Sequence, residues 1–318
     1  SYDFSYLYDN LHIEKIKIDG EEYSKIRIDN NDYISYTSTL GEPRVPIIGC
    51  RIAIPYGQKV ESVHVTKNNP ISCYADLKIE PAQELIPLNY NGEIIFDEPK
   101  DEIYNSNEPY PSVDYKIVTE QRFRGHDILI LQLYPIKYIS LTNELNFYKS
   151  MKVTIKTSVV SNLENINENL RKGCKKDIEL LKEMVDNSQM VEDKFFSSYT
   201  NPNDEIYEYV IITTENLKNS NSGYTFDDLK NAKINAGLNT KIMTVEQIKN
   251  DYSGKDTQEK IRNFIKDAYN NWQTDYVLLA GDVDKVPVKI VNVQDECWPK
   301  NSPCDLYYAC LDSPAPDG

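Results

Sequence analysis

Histidine is scarce in this 318-residue chain, and its three copies are unevenly placed. His12, His64 and His126 all lie in the first half, and residues 206–318 contain none. Chemistry that needs an imidazole base must therefore find it early in the chain or in another chain segment. Cysteine is present six times, as Cys50, Cys73, Cys174, Cys297, Cys304 and Cys310, but never as a C-x-x-C pair. That excludes the usual thiolate zinc spacing. Cys297 and Cys304 flank a short Trp-Pro-Lys-Asn-Ser-Pro loop. They could pair in an oxidising compartment, and free thiols fit the pattern equally well. No apolar run approaches the roughly 20 residues that a membrane helix needs. Positive charge is also short. Lys and Arg number 35 against 50 Asp and Glu, a net charge of -15 and a pI near 4.8. Nucleic acid and anionic membrane are thus disfavoured as partners, because no basic surface is on offer to them. No G-x-G-x-x-G or P-loop follows a strand pattern, which argues against a nucleotide-binding enzyme. The first residue is Ser1 rather than Met, so the start of the chain does not report on a removed leader.

What remains is an ordinary folded composition, 40% apolar and 27% charged, in a length that favours two domains. Residues 1–160 read as strands. His12–Ile18 and Tyr23–Ile28 alternate around Asp19-Gly20, a hairpin signature. Short alternating or apolar stretches continue through Ile52–Ile54, Val60–Val65, Tyr115–Val118, Ile128–Leu133 and Met151–Ile155. Most of the 16 prolines fall here or near the end of the chain, as expected between strands. The pattern predicts a β-sandwich. Residues 161–205 read as a polar, Asn-rich linker holding one amphipathic helix, with Ile178, Leu181, Met184 and Val185 on its apolar face. Residues 197–205, with Asn201-Pro202-Asn203-Asp204, carry turn chemistry.

From 206 to 318 the period changes. Strands are expected at Tyr207–Thr213, Lys241–Met243 and Tyr276–Ala280, and helices at Thr225–Ala236 and Thr257–Trp272. Thr225 and Asp228 form a weak capping box, and Gly237 stops the first helix. Strand–helix alternation predicts a parallel, doubly wound α/β sheet. The apolar run Tyr276–Ala280 reads as a strand covered on both faces. It ends at Gly281-Asp282, with Asp284 close behind and Asp305 beyond a loop. Ligands gather at the carboxyl ends of parallel strands, so this acidic turn is the candidate site.

At these residues the chain resembles the gingipain-type cysteine peptidases, family C25. Their catalytic domain carries a GD-x-D-x-x-P turn followed by a D-x-Y-Y-A-x-L-D segment. Here these read Gly281-Asp282-Val283-Asp284-Lys285-Val286-Pro287 and Asp305-Leu306-Tyr307-Tyr308-Ala309-Cys310-Leu311-Asp312. Upstream, Gly41-Glu42-Pro43-Arg44-Val45-Pro46 resembles the G-x-P-x-L-P opening of that family's propeptide, with Val45 in place of Leu. Arg124-Gly125, Tyr134-Pro135-Ile136-Lys137-Tyr138 and Leu145-Asn146-Phe147-Tyr148 resemble its R-G…P-x-x-Y…L-x-x-Y tail.

The resemblance implies a β-sandwich propeptide followed by a caspase-like α/β domain, and a secreted or cell-surface protein acting on proteins or peptides. It implies a Cys/His dyad after later strands, expected beyond residue 318, so that this chain is a truncated, inactive zymogen fragment. A dyad of His126 with Cys310 is a remote alternative to ordinary structural roles for both. It further implies that the propeptide inhibits its own catalytic domain through a basic side chain, with Arg122 and Arg124 as candidates; solvated or strand-pairing arginines are the plain alternative. Asp282, Asp284, Asp305 and Asp312 are candidate Ca²⁺ ligands, because hard oxygen donors suit that ion. A turn cap and solvated acids account for the same residues. A competing reading is a non-catalytic, secreted β-sandwich interaction or adhesion protein carrying a degenerate α/β domain.

Overall fold

The computed structural model describes residues 1–8, 11–29, 34–74, 77–92, 95–160, 171, 174–195, 205–221, 223–292 and 301–311. The chain divides into two compact units. One is Ser1–Ser161 with Leu180–Phe195, and the other is Asn162–Glu179 with Phe196–Gly318.

The first unit is sheet-rich. Its strands are β1 (Tyr2–Leu7), β2 (Leu11–Ile18), β3 (Glu21–Ile28), β4 (Ile34–Tyr36), β5 (Pro46–Ala53) and β6 (Gln58–Tyr74). After the short helix α1 (Asp101–Tyr104) come β7 (Tyr115–Phe123), β8 (His126–Leu133), β9 (Ile136–Ile139) and β10 (Glu144–Val159). One four-stranded sheet has the order β1-β10-β6, with β9 also paired to β10, and a second has the order β4-β5-β8-β7. All their pairings are antiparallel. Alternation decides the faces. Leu145, Phe147, Met151, Val153 and Ile155 of β10 are buried, as are Ile48, Cys50 and Ile52 of β5 and Leu129, Leu131 and Leu133 of β8. Both sheets feed one apolar core. β6 runs longer than its sequence pattern suggested and passes through Pro70, opposite Tyr148. It lies at the end of the strand order, where a missing N–H costs no ladder bond.

Two hairpins turn on left-handed residue pairs. Asp19 and Gly20 have φ of 48° and 84° between β2 and β3, and Arg124 and Gly125 have φ of 47° and 83° between β7 and β8. Positive φ at both central residues is the type I′ conformation that matches strand twist.

The sequence placed residues 180–195 in a linker. They belong to the first unit, with the end of α2 (Lys175–Met184) and all of α3 (Ser188–Phe195). β4 pairs with β5 only along Pro46–Ile48. Beyond that, Asp186 and Asn187 bond to β5. The Asp186 N–H donates to Arg51 O at 2.8 Å, and the Asp186 carboxylate accepts from Arg51 N at 3.0 Å and from the Tyr6 hydroxyl at 2.9 Å. Asn187 accepts from Ala53 N and donates to Ala53 O, both at 2.9 Å. Side chains here complete a strand edge that would otherwise be buried unpaired.

Burial raises the Asp186 pKa, against the bonds from Arg51 and Tyr6. The folded state then holds a proton more tightly than the unfolded chain, so this group's contribution is fullest below its unfolded pKa of about 4 and declines as pH rises through the raised value. Asp186→Asn keeps an acceptor oxygen and removes the charge. Its advantage over wild type in urea melts should grow from pH 4 upward and then level off. A stability difference that is flat across that window would show that the carboxyl is not perturbed.

The second unit is α/β. It contains β11 (Tyr209–Thr213), α4 (Glu215–Lys218), α5 (Phe226–Asn235), β12 (Thr240–Thr244), α6 (Val245–Asp251), α7 (Thr257–Asn271) and β13 (Tyr276–Leu279). A hairpin of β14 (Lys289–Asn292) and β15 (Asn301–Cys304) and the short helix α8 (Leu306–Ala309) follow. The three-stranded sheet is parallel, in the order β12-β11-β13. The strand reading of Tyr276–Ala280 needs one correction. Among the described residues β13 is an edge strand, with Tyr276 49% exposed, and the strand buried from its second residue on, Val210–Thr213, is central β11. An apolar run marks burial without saying which strand is central.

Caps set the helix starts. Thr225 and Asp228 make both arms of a capping box, as do Thr244 and Gln247, while Asp256 caps α7 by accepting from Glu259 N. Gly237, at φ 86°, ends α5. On α7, Ile261, Phe264, Ile265 and Ala268 recur at helical spacing and pack with Val210 and Ile212 of β11.

Candidate functional site

The acidic turn at the carboxyl end of β13 is built on Gly281. Its φ is 151°, and a Cβ there would lie 2.8 Å from Lys285 Cβ. Only glycine takes that backbone without strain. The carbonyl of Asp282 accepts from Lys285 N at 2.8 Å and Val286 N at 3.0 Å, closing the turn. Its side chain accepts from Val283 N at 2.7 Å. Val286 is then driven into the core beside Tyr307 and Tyr308.

The two motif stretches meet there. The Tyr308 hydroxyl donates to the carbonyl of Pro287. Arg262, buried on α7, donates from Nε to Tyr307 O at 3.0 Å and from Nη2 to Cys310 O at 2.5 Å, satisfying carbonyls of α8. Lys289 lies 5.2 Å over the Tyr307 ring and 3.1 Å from Asp256. Burial opposes ionisation of Asp256, but the Glu259 amide and Lys289 outweigh it and hold its pKa low. Arg262 was not singled out by the sequence reading. Its signal, in retrospect, is an arginine directly following Ile261 on the apolar face of a helix.

Asp282, Asp284 and Asp305 are all exposed. Asp284 bonds to Lys285 at 2.8 Å, which lowers its pKa, and Asp305 starts α8 without a side-chain cap bond. Asp312 lies outside the described residues. Among the described residues no group of three His, Cys, Asp or Glu side chains is placed to hold a metal ion. At the ends of the other two strands, Thr214 caps α4, Thr244 caps α6, and the Thr244 hydroxyl donates to Glu215 at 2.8 Å. Glu246 in turn accepts from Glu215 N at 3.0 Å. These residues show no pattern in sequence beyond the Thr-x-x-Gln capping box at Thr244.

Burial pushes the Cys50 thiol up to about 12, which leaves it protonated at neutral pH. Burial also raises Cys174. Cys304 and Cys310 are half-buried free thiols, and Cys297, one candidate partner of Cys304 by sequence, lies outside the described residues. His12 bonds to Asp29 at 2.6 Å on the surface, His64 is exposed on β6, and His126 is buried at the head of β8.

On the sheet-rich unit, the two candidate arginines lie at the β7–β8 hairpin. Arg122 Nε pairs with Asp127 at 2.8 Å, its register partner across the hairpin. It is a cross-strand ion pair. Arg124 occupies the first left-handed position of the hairpin tip, its guanidinium 5.6 Å over the Phe123 ring.

The remaining motif residues of this unit are wired into its fold. A Cβ on Gly41 would fall 2.6 Å from Glu98 O. Glu42 accepts from Lys100 and from the Tyr110 hydroxyl, both at 3.0 Å. Arg44 pairs with Glu80 at 3.1 Å, and Val45 is fully buried. Lys137 Nζ donates to the carbonyls of Pro111 at 2.5 Å and Val113 at 2.6 Å, and the Tyr138 hydroxyl donates to Leu77 O at 2.6 Å. Burial lowers the Lys137 pKa, against the ion pair with Asp114.

The chain thus carries a sheet-rich unit first in sequence and then a parallel α/β unit with an acidic Gly-Asp turn. Comparison with known families agrees: the C25 propeptide model matches residues 3–179, and the model of peptidase family C25 matches residues 202–317. The chain belongs to peptidase family C25, as propeptide followed by peptidase sequence. Among solved structures it is similar to the complex of Porphyromonas gingivalis RgpB pro- and mature domains. The identity is 16% and the TM-score 0.45, over 59% of this chain and 92% of that one. A structure addressing the zymogenic latency of gingipain K from the same organism matches at 19% identity and TM-score 0.41, over 48% of this chain and 86% of that one. No curated protein matches.

Proposed function

We propose that the sheet-rich unit is the inhibitory and folding-assisting prodomain of a secreted cysteine endopeptidase, held here in one chain with sequence of its own catalytic unit. The observation that carries this is the order of the two family matches, propeptide then peptidase, in one chain. In this reading the two antiparallel sheets form a sandwich and the parallel unit is caspase-like. The inhibitory side chain in this reading is Arg124, which stands at the left-handed tip of the β7–β8 hairpin, with Arg122 the second candidate. The catalytic imidazole, in this reading, is not among residues 206–318, which contain no histidine. Ca²⁺ enters the reading only with ligands added to Asp282 and Asp305, Asp312 among them. Millimolar Ca²⁺ should then raise the melting temperature more than Mg²⁺ does, and less so in Asp305→Asn.

The chain by itself should not turn over fluorogenic Arg, Lys or Asp peptides. Thiol-sensitive turnover that survives His126→Ala would overturn that. Added in trans, the chain should inhibit the mature enzyme of the same gene in competition with small substrates. Arg124→Ala should weaken inhibition roughly 30-fold or more, the scale of a ~2 kcal/mol interface hot spot, while Arg122→Ala does much less. A folded chain without inhibition at high micromolar concentration would leave the sheet-rich unit as an interaction module.

A further inference from the structure

The outer side of the sheet β4-β5-β8-β7 carries a cavity of about 960 Å³, lined wholly by the sheet-rich unit. Ligand pockets run to roughly 300–1,000 Å³. Strand alternation makes its floor. Leu131 and Leu133 of β8 face the core, so Gln132 between them faces outward, with Lys116 of β7 on one side and Gly49 of β5 on the other. Ile47 lies opposite Ser35 of β4 on the same face. Gly49 takes no left-handed φ, so the strand itself does not call for glycine there. A glycine inside a strand marks a place where something else approaches closely. The polar groups of the cavity are mostly neutral and little engaged. Among the described residues the hydroxyls of Ser35, Ser38, Thr39 and Ser112 have no hydrogen-bond partner, nor has Gln132 Nε2. Gln132 Oε1 is met by the Tyr134 hydroxyl at 3.4 Å. Tyr36 and Tyr110 line the cavity with Tyr134, and both are held in place. Tyr110 donates to Glu42 at 3.0 Å, and Arg44 lies 4.3 Å over the Tyr36 ring.

We infer that this cavity binds a neutral oligosaccharide. Among the described residues Lys116 is the one base in its lining, against Glu102 and Glu108, while Glu42 is already paired with Lys100. An anionic ligand therefore gains little there. An apolar ligand would strip water from the hydroxyls without replacing their bonds. β4, the edge strand beside the cavity, is three residues long and gives an added peptide strand little to bond. A sugar meets each of these limits. Its hydroxyls both donate and accept, which matches Ser, Thr and Gln side chains. Its C–H faces are apolar and pack on aromatic rings such as the three tyrosines. The site lies at the opposite end of the β7–β8 hairpin from Arg124, about eight residues or roughly 26 Å along β7. It is thus separate from the hairpin tip and does not depend on the peptidase reading.

The test is titration calorimetry of the full chain with cellohexaose, mannohexaose, xylohexaose and chitohexaose, beside a heparin-derived hexasaccharide and decaproline. Amide hydrogen exchange locates whatever binds. At least one of the neutral sugars should bind saturably, with a Kd of about 1 mM or tighter. It should slow exchange in residues 35–39 and 110–116. Gln132→Ala should weaken that binding roughly 10-fold, the effect of leaving its amide bonds unmade. Ser112→Trp, which fills the cavity from an exposed position, should abolish it. If Ser112→Trp does not fold, Gln132→Ala decides alone. Absence of binding by all four neutral sugars at about 10 mM would overturn the inference. So would binding that is unchanged in folded Gln132→Ala, or that slows exchange only outside those two segments. Engagement of the cavity by decaproline or the heparin fragment alone would overturn it in favour of a peptide or an anion.

Discussion

Asp177→Ala should lower the melting temperature of the α/β unit by about 10 °C. The buried guanidinium of Arg171 would keep Asp275 and two carbonyls but lose the acceptor for Nε and Nη2. Removing one partner of a buried pair costs about 3–5 kcal/mol, chiefly because the other charge stays buried and uncompensated. For a unit of this size each kcal/mol is roughly 2–4 °C. Calorimetry is the suitable measurement, since two units need not melt as one transition. A shift under about 2 °C would show that the pair contributes nothing net.

Arg171→Met combined with Asp177→Leu should recover most of the loss, because matched apolar replacement removes the desolvation cost along with the pair. The pH dependence follows from Asp275. Burial opposes its ionisation, but Lys176 and Arg171 outweigh that and hold its pKa below the ordinary value. A depressed folded pKa contributes stability above the unfolded value of about 4 and loses it as pH falls through the folded value. The α/β unit should therefore weaken only below about pH 4, while the Asp186 contribution in the other unit runs the opposite way.

Asn187→Ala should cost the sheet-rich unit about 2–5 kcal/mol. Ala53 is 1% exposed, and the Asn187 carboxamide satisfies both its N–H and its carbonyl. Each buried backbone group left without a partner carries a penalty of about 1–3 kcal/mol. Asn187→Asp keeps the acceptor for Ala53 N but loses the donor to Ala53 O, so it should also destabilise the unit. Urea unfolding followed by far-UV circular dichroism checks the order. If Asn187→Ala melts like wild type, water has replaced the side chain at the strand edge.

Much of the secondary structure was legible because its causes are local. The Asp19-Gly20 turn, the Thr225 cap, the Gly237 stop and the period of α7 each depend on residues within a few positions of one another. The hairpin at Arg124-Gly125 was visible as a motif but not as a turn type, since arginine is an uncommon left-handed residue. The family was also legible, because the Gly281-Asp282 turn and the Asp305-Tyr307-Tyr308 segment are short strings.

Which of those residues act as a site and which as struts was not legible. Arg44, Lys137 and Tyr138 carry the resemblance, yet their partners show them bracing loops. The α3 helix was missed because its cause is packing into the first unit rather than a strong period of its own.

Composition and local pattern alone thus determine an acidic two-part chain, strands first and α/β second, with no imidazole in the second part. Tertiary structure decides where the parts divide, which arginine tips the hairpin, and what Asn187 and Arg171 hold. Asn187 meets Ala53 across 134 positions, and Arg171 meets Asp275 across 104. Such pairs leave no periodic trace, because a buried polar group is specified by the one partner it reaches in space and not by its neighbours in the chain.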